Sequence, residues 1–249
     1  MIQHPGAVIR TTAHRWSRAL LDILYPPACV GCGEPGVDWC GRCNQTIRRL
    51  TRPVCVRCGS SLSQSRSACN RCVDFPENLQ VRSYAYYDGP LLRAILHLKY
   101  RPNKSLAEVM GNWLIDLAVQ EGMEADIILS VPLSKNRLKH RGYNQVDLIV
   151  ESMAKGLGIA SDKRALKRIR ETKSQVGLDP INRRINVQNA FQANQRILQG
   201  RNVFLVDDLY TTGSTILACT QALNEIGVRK VYGLTVARPG KMMNQYRKG

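Results

Sequence analysis

The sequence predicts an α/β chain in which a doubly wound parallel sheet follows a small cysteine-rich module. Three observations support this fold class. Eight of the nine cysteines fall between Cys29 and Cys72, and strand-like apolar runs alternate with amphipathic helical patterns from residue 81 onward. One of those runs ends abruptly in two carboxylates and a Thr-Gly-Ser turn. The 249 residues suffice for two modest domains, which we place at 1–75 and 76–249.

The composition indicates a basic chain that is expected to be cytoplasmic. The net charge is +17, and residues 1–75 hold 10 of the 36 basic and 4 of the 19 acidic side chains, so both parts carry the excess. Such a surface attracts polyanions, nucleic acid among them. No apolar run is long enough to span a bilayer, and the N-terminus lacks a signal-peptide pattern, with residues 9–24 predicted as a short amphipathic helix instead.

The first domain is predicted to bind two structural zinc ions. Its cysteines form four Cys-x-x-Cys pairs, and two such pairs complete a tetrahedral four-thiolate site. The pairs are Cys29/Cys32, Cys40/Cys43, Cys55/Cys58 and Cys69/Cys72. Joining neighbouring pairs closes the shortest loops and is favoured, although interleaved pairing stays open. The segments between the pairs are polar, so metal is expected to hold this double zinc-ribbon module together.

The surface of this module is rich in arginine and contains no lysine. Arginine makes bidentate contacts with phosphate and stacks on bases. We therefore take Arg48, Arg49 and Arg52 as candidate contacts for single-stranded DNA. Docking of a protein partner is the alternative interpretation.

The second domain is read element by element after a linker at 76–78. Residues 81–87 form a strand, 90–100 and 106–120 form helices, and 126–131 form an apolar strand expected to be the first of the main sheet. A polar loop and a helix ending near 156 follow. Further strands are expected at 165–170, 203–207 and 230–237, with a helix at 216–226.

The residues at the end of the predicted strand 203–207 indicate a functional site. Ligands bind beyond the carboxyl ends of parallel strands. Asp207 and Asp208 end the strand and suit a ribose diol or a divalent metal, whereas the following turn offers backbone N–H groups and hydroxyls to a phosphate. That turn consists of Thr211, Thr212, Gly213, Ser214 and Thr215. A strand merely capped by a polar turn is the alternative, and it leaves the paired carboxylates unexplained.

This stretch resembles the phosphoribosyl diphosphate (PRPP) signature of type I phosphoribosyltransferases, with every position of the pattern filled. The resemblance implies a phosphoribosyltransferase-like fold and a site for PRPP, with Mg2+ as a companion. It also implies that the loop after residues 126–131 holds the pyrophosphate. Ser134, Lys135 and Arg137 in that loop suit a diphosphate. In such enzymes the segment corresponding to residues 171–189 closes over the site, and here it offers Lys173, Arg183 and Arg184.

The whole chain resembles the ComF family of competence and DNA-utilization proteins. The resemblance rests on Arg141-Gly142-Tyr143-Asn144-Gln145, on residues 168–191, on the cysteine module and on the order of these motifs. It implies that the chain handles incoming single-stranded DNA in the cytoplasm, together with other DNA-uptake proteins. It does not establish phosphoribosyl transfer. An active phosphoribosyltransferase acting on an unknown base or amine, and a PRPP sensor without chemistry, remain alternatives.

Overall fold

The computed structural model describes residues 26–62, 67–72, 75–171 and 189–240. The helices are α1 Gly41–Gln45, α2 Gly89–Tyr100, α3 Lys104–Gln120, α4 Lys135–Arg141, α5 Gln145–Leu157, α6 Gln195–Leu198 and α7 Ser214–Asn224, with a 3-10 turn at Asn70–Cys72. The strands are β1 Leu79–Tyr86, β2 Ile127–Ser130, β3 Ala160–Ser161, β4 Leu166–Arg168, β5 Phe191–Ala193, β6 Asn202–Leu209 and β7 Lys230–Arg238. None of the helices in these ranges has the length and apolar character that a membrane crossing requires. The predicted helix at 9–24 and the loop residues 172–188 lie outside the described residues.

The main sheet is parallel and doubly wound, as predicted. Its strand order is β1-β7-β6-β2-β3, and each neighbouring pair is parallel. The central strand β6 turns Phe204 and Val206 toward α2, α3 and α5, and turns Val203 and Leu205 toward α7. Because both faces are covered, the strands read as nearly continuous apolar runs.

Two details of the predicted sheet were wrong. The first strand in the chain is β1, which pairs with β7, so β2 is not the first strand of the main sheet. The strand expected at 165–170 is present as β4, but it pairs antiparallel with β5 in a separate two-stranded ribbon. Both errors concern which strand lies beside which, and long-range pairing leaves no mark in a local apolar pattern.

The cysteine-rich module wraps around the β1 edge of the sheet. The backbone N–H of Tyr86 donates to the Arg48 carbonyl (2.9 Å), and the Leu50 N–H donates to the Tyr84 carbonyl (3.2 Å). An antiparallel bridge joins Arg49 to Ala85. The module therefore covers an edge that would otherwise expose unpaired backbone groups. The boundary proposed at residue 75 thus separates two parts that pack closely together.

Candidate functional site

The carboxyl ends of β2 and β6 bring the predicted site residues to one edge of the sheet. Ser130 of β2 is in register with Val206 of β6, and Asp207 is in register with Thr235 of β7. The Val131 N–H donates to the Val206 carbonyl (2.9 Å), which extends this pairing to the start of the next loop. The two loops expected to bind phosphates therefore begin on neighbouring strands.

Asp208 is held by side chains from the two helices above it. Its Oδ2 accepts a hydrogen bond from Gln145 Nε2 (2.7 Å) and lies 3.3 Å from Lys99 Nζ. Arg141 Nη1 in turn donates to Gln145 Oε1 (3.0 Å). The Arg-Gly-Tyr-Asn-Gln block thus orients a carboxylate of the site. Lys99 was missed from the sequence, because only the fold brings the end of α2 to the end of β6.

Asp207 points to the opposite face of the sheet, since successive strand residues alternate. Its side chain is half-buried, and its Oδ1 accepts the backbone N–H of Asp208 (2.8 Å). Burial, followed by the negative charge of Asp208, raises the pKa of the Asp207 carboxyl well above its ordinary range, although the backbone hydrogen bond from Asp208 and the charges of Lys99 and Arg137 act against this. A carboxyl group in this state favours ligands that bring hydroxyl donors or positive charge.

The turn after β6 leads directly into the N-terminus of α7. Gly213 is the N-cap of α7 and adopts a left-handed φ of 81°, and it has no side chain to cap the helix. A Cβ atom there would overlap the ring of Tyr210, so a larger residue would meet both strain and a clash. Thr212 Oγ1 and Ser214 Oγ share a hydrogen bond of 2.8 Å. Thr211 is exposed and Thr215 is half-buried.

The candidate pyrophosphate residues lie in the first turn of α4 rather than in an open loop. Ser134 is the N-cap, and its Oγ accepts the Arg137 N–H (3.3 Å). The Lys135 N–H donates to Glu171 Oε1 (2.6 Å), so a carboxylate oxygen already occupies an anion-accepting position at this helix start. The side chains of Lys135 and Arg137 are exposed. The sequence predicted a loop for this segment because its polar residues lack the apolar stripe that indicates an amphipathic helix.

The eight cysteines form two four-sulfur clusters, and neighbouring pairs join as favoured from loop length. The first cluster contains Cys29, Cys32, Cys40 and Cys43, and the second contains Cys55, Cys58, Cys69 and Cys72. The sulfurs of Cys32 and Cys40 are 3.6 Å apart, and those of Cys58 and Cys69 are 3.7 Å apart. Zinc–sulfur bonds of about 2.3 Å in a tetrahedron require about 3.8 Å between sulfurs. The donor sets therefore fit structural zinc.

The thiols of the first cluster differ in acidity. A hydrogen bond from Arg42 lowers the pKa of the exposed Cys32 thiol to about 6. In the same cluster, burial and the neighbouring sulfurs raise the pKa of Cys43. Four adjacent thiolates repel one another unless a metal ion neutralises them, so thiols of opposite tendency at one centre are consistent with metal ligation.

Two arginines of the sheet anchor the second cluster. Arg82 of β1 donates from Nη1 to the Val56 carbonyl (3.1 Å), and Arg238 of β7 donates from Nη1 to the Cys58 carbonyl (3.0 Å). The guanidinium of Arg238 also lies 5.0 Å from the ring centre of Tyr210. Since Tyr210 packs against Gly213, these contacts join the second cluster to the candidate phosphate turn.

The arginines predicted to contact DNA lie together beside the β1 edge, and each has a partner within the chain. Arg48 forms an ion pair with Asp88 (2.9 Å), and Arg52 forms one with Glu121 (3.2 Å). Arg49 lies over the ring of Tyr84, 4.9 Å from its centre. These contacts attach the module to the sheet, whether or not the same side chains also meet DNA.

Comparisons with known proteins agree with this architecture. A family model described as a double zinc ribbon domain matches residues 20–73. DNA utilization protein YhgH of Escherichia coli O157:H7 is 32% identical over 219 residues, which cover 84% of this chain and 96% of that protein. Competence protein F of Haemophilus influenzae is 30% identical over 208 residues, covering 80% and 90%. The glutamine PRPP amidotransferase structure from B. subtilis aligns with 57% of this chain and 30% of its own, at 18% identity and a TM-score of 0.39.

Proposed function

The chain belongs to the ComF family, the family of DNA utilization protein YhgH and competence protein F, and we propose from this premise that it handles single-stranded DNA in the cytoplasm during DNA uptake. We further propose that it carries a PRPP-type ribose-phosphate site. The observation that carries the proposal is the edge of the sheet where the Asp207–Asp208 pair adjoins the Gly213 turn. Other proteins of DNA uptake are the expected partners in the cell.

In the proposed site, each part of PRPP would bind to protein groups of complementary hydrogen-bonding capacity or charge. The ribose diol would donate to Asp207 and Asp208, and the 5'-phosphate would accept from the turn formed by residues 211–215. The diphosphate would lie near Ser134, Lys135 and Arg137, where Glu171 now accepts the Lys135 N–H. Carboxylate oxygens are suitable ligands for Mg2+ accompanying the diphosphate, and Asp207 is the candidate.

The charge of the chain supports the DNA part of the proposal. The excess of +17 attracts a phosphate backbone irrespective of sequence. In fluorescence-anisotropy titrations with labelled oligothymidylate at low salt, we expect binding at micromolar or tighter affinity. The logarithm of affinity should fall linearly with the logarithm of salt concentration, by about 0.7 per neutralised phosphate. Absence of binding at low salt would refute the DNA proposal.

The role of the module arginines can be tested in the same assay. Replacing Arg48 and Arg49 by Ala should lower the salt slope if they contact phosphate. The matched control replaces Arg201 and Arg229, two exposed arginines beside the amino ends of β6 and β7. Because both double variants lose the same charge, a slope that stays at the wild-type value in both would show that the module arginines do not contact DNA phosphates.

An active phosphoribosyltransferase is the second candidate, favoured by the intact signature from Val203 to Thr215. Incubation with PRPP, Mg2+ and a panel of bases and amines would distinguish the two. Pyrophosphate release that depends on one acceptor would select the enzyme. If no acceptor gives pyrophosphate release and the protein nevertheless binds PRPP measurably, the site binds PRPP without transferring its phosphoribosyl group.

A further inference from the structure

Helix α2 presents an exposed face that the described core leaves uncovered. Leu91, Ala94, Ile95 and Leu98 on its inner side are buried. On the outer side, Leu96 is 40% exposed and Tyr100 is 67% exposed. Tyr100 is thus a largely solvent-exposed aromatic residue at the C-terminal end of α2. A tyrosine ring in this position can be buried against a stacking partner, and that burial is favourable.

This face forms one wall of a groove of about 410 Å³ beside the first cluster. Its lining residues are Val30, Arg93, Leu96, His97, Tyr100 and Arg101. The Nε of Arg93 donates to the Gly31 carbonyl (2.6 Å), which fixes one arginine against the cysteine module. Among the residues the structure describes, neither Arg93 nor Arg101 forms an ion pair, in contrast to Arg48 and Arg52. The groove thus combines cations with an aromatic surface.

Two contacts connect the end of α2 to the candidate ribose-phosphate edge. Lys99, the neighbour of Tyr100, lies 3.3 Å from the Asp208 carboxylate. Arg141 lies 5.7 Å from the ring centre of Tyr100 and donates to Gln145, which holds Asp208. A chain lying along α2 would therefore reach the carboxylate pair at its end.

We propose that single-stranded DNA binds along this face of α2, with one base stacked on Tyr100 and backbone phosphates at Arg93 and Arg101. The proposal rests on the DNA part of the proposed function and assigns its contact surface. Stacking on one aromatic ring requires an unpaired base, which favours a single strand over a duplex.

The test is an anisotropy titration of the full-length protein with labelled oligothymidylate at several salt concentrations. Tyr100→Ala should weaken binding roughly five- to 150-fold, the loss expected for one stacked base, without changing the salt slope. Tyr100→Phe should retain the affinity of the wild type, since stacking needs only the ring. Val119→Ala on α3, where the parent side chain is 69% exposed, is the control and should have no effect.

The phosphate contact is tested separately by charge. Arg101→Ala should reduce the magnitude of the salt slope by about 0.7, whereas Arg229→Ala should leave it unchanged. Tyr100, Arg101 and Arg229 are exposed, so replacing them should not disturb folding. Thermal unfolding curves of the variants would verify this. If the wild type binds DNA but Tyr100→Ala binds equally well, the assigned surface is wrong. If the wild type does not bind, the proposed function itself fails.

Discussion

The two cysteine clusters have the same ligands but lie on opposite faces of the sheet. The second cluster joins the core formed by Val81, Val203 and α7. The first cluster forms a small core with Trp39, whose ring meets Trp113 of α3 edge-on at 5.6 Å. Each cluster has three buried cysteines; the fourth is exposed in the first cluster (Cys32) and half-buried in the second (Cys69). One cluster is therefore attached to the outer helices, and the other is part of the sheet's own core.

This difference indicates that each cluster supports a different part of the proposed site. The second cluster connects through Arg238 and Tyr210 to the Gly213 turn. The first connects through Arg93 to the groove on α2. A double zinc ribbon is thus not a single arm appended to the α/β domain. It holds the β1 edge from both sides, and loss of each metal should have distinct consequences.

The largest expected effect is that of removing a ligand from each cluster in turn. Cys58→Ser should lower the free energy of unfolding of the whole chain by more than about 4 kcal/mol, because metal loss there opens the sheet core. Cys32→Ser should leave the cooperative unfolding of the sheet largely intact. Denaturant titrations in zinc-containing buffer would measure both, and metal analysis should return about two equivalents for the wild type. If Cys58→Ser and Cys32→Ser lower the free energy of unfolding equally, the two clusters do not differ in the way described.

The next effect concerns the arginines that connect each cluster to the site. Arg238→Met removes the buried donor to the Cys58 carbonyl and to Ser60 Oγ, so the free energy of unfolding should fall by about 2–4 kcal/mol. PRPP binding should also weaken, since the Arg238 guanidinium would no longer lie over the Tyr210 ring that packs beside Gly213. Arg93→Met, which loses one hydrogen bond on the exposed side, should cost about 1 kcal/mol and leave PRPP binding unchanged. If calorimetric titration gives the same PRPP affinity for Arg238→Met and Arg93→Met, the connection through Arg238 is contradicted.

A separate effect concerns the pH dependence of stability at Asp207. The folded-state pKa of Asp207 is raised to about 8, so the native state binds more protons than the unfolded state between about pH 4 and about pH 8. Stability from this group therefore falls as pH rises through that window. Asp207→Asn removes the effect, and its free energy of unfolding relative to the wild type should increase with pH. A difference that stays constant over this range would contradict the raised pKa.

The sequence was sufficient for features built from local spacing. The Cys-x-x-Cys pairs, the apolar run ending at Asp207, and the Gly213 turn are each contiguous. The cysteine pairs form the predicted clusters, and the strand at Asp207 is present but continues to Leu209. Features that depend on chain segments meeting were not predictable. Lys99 meets Asp208 only because α2 packs over β6, and the Gln145 contact spans 63 residues. Arg48 and Arg52 looked like free surface charges because their carboxylate partners lie 40 and 69 residues away.

The most direct test of the central claim is a calorimetric titration of PRPP with Mg2+ into the wild type and two glycine variants. Gly213→Val should abolish binding, because the side chain would occupy the turn and strain a φ of 81°. Gly158→Val imposes similar strain at a φ of 68°, but it lies at the far end of α5, with open space around it, and should bind as the wild type does. If Gly213→Val and the wild type bind PRPP with equal affinity, the turn after β6 is not the phosphate site.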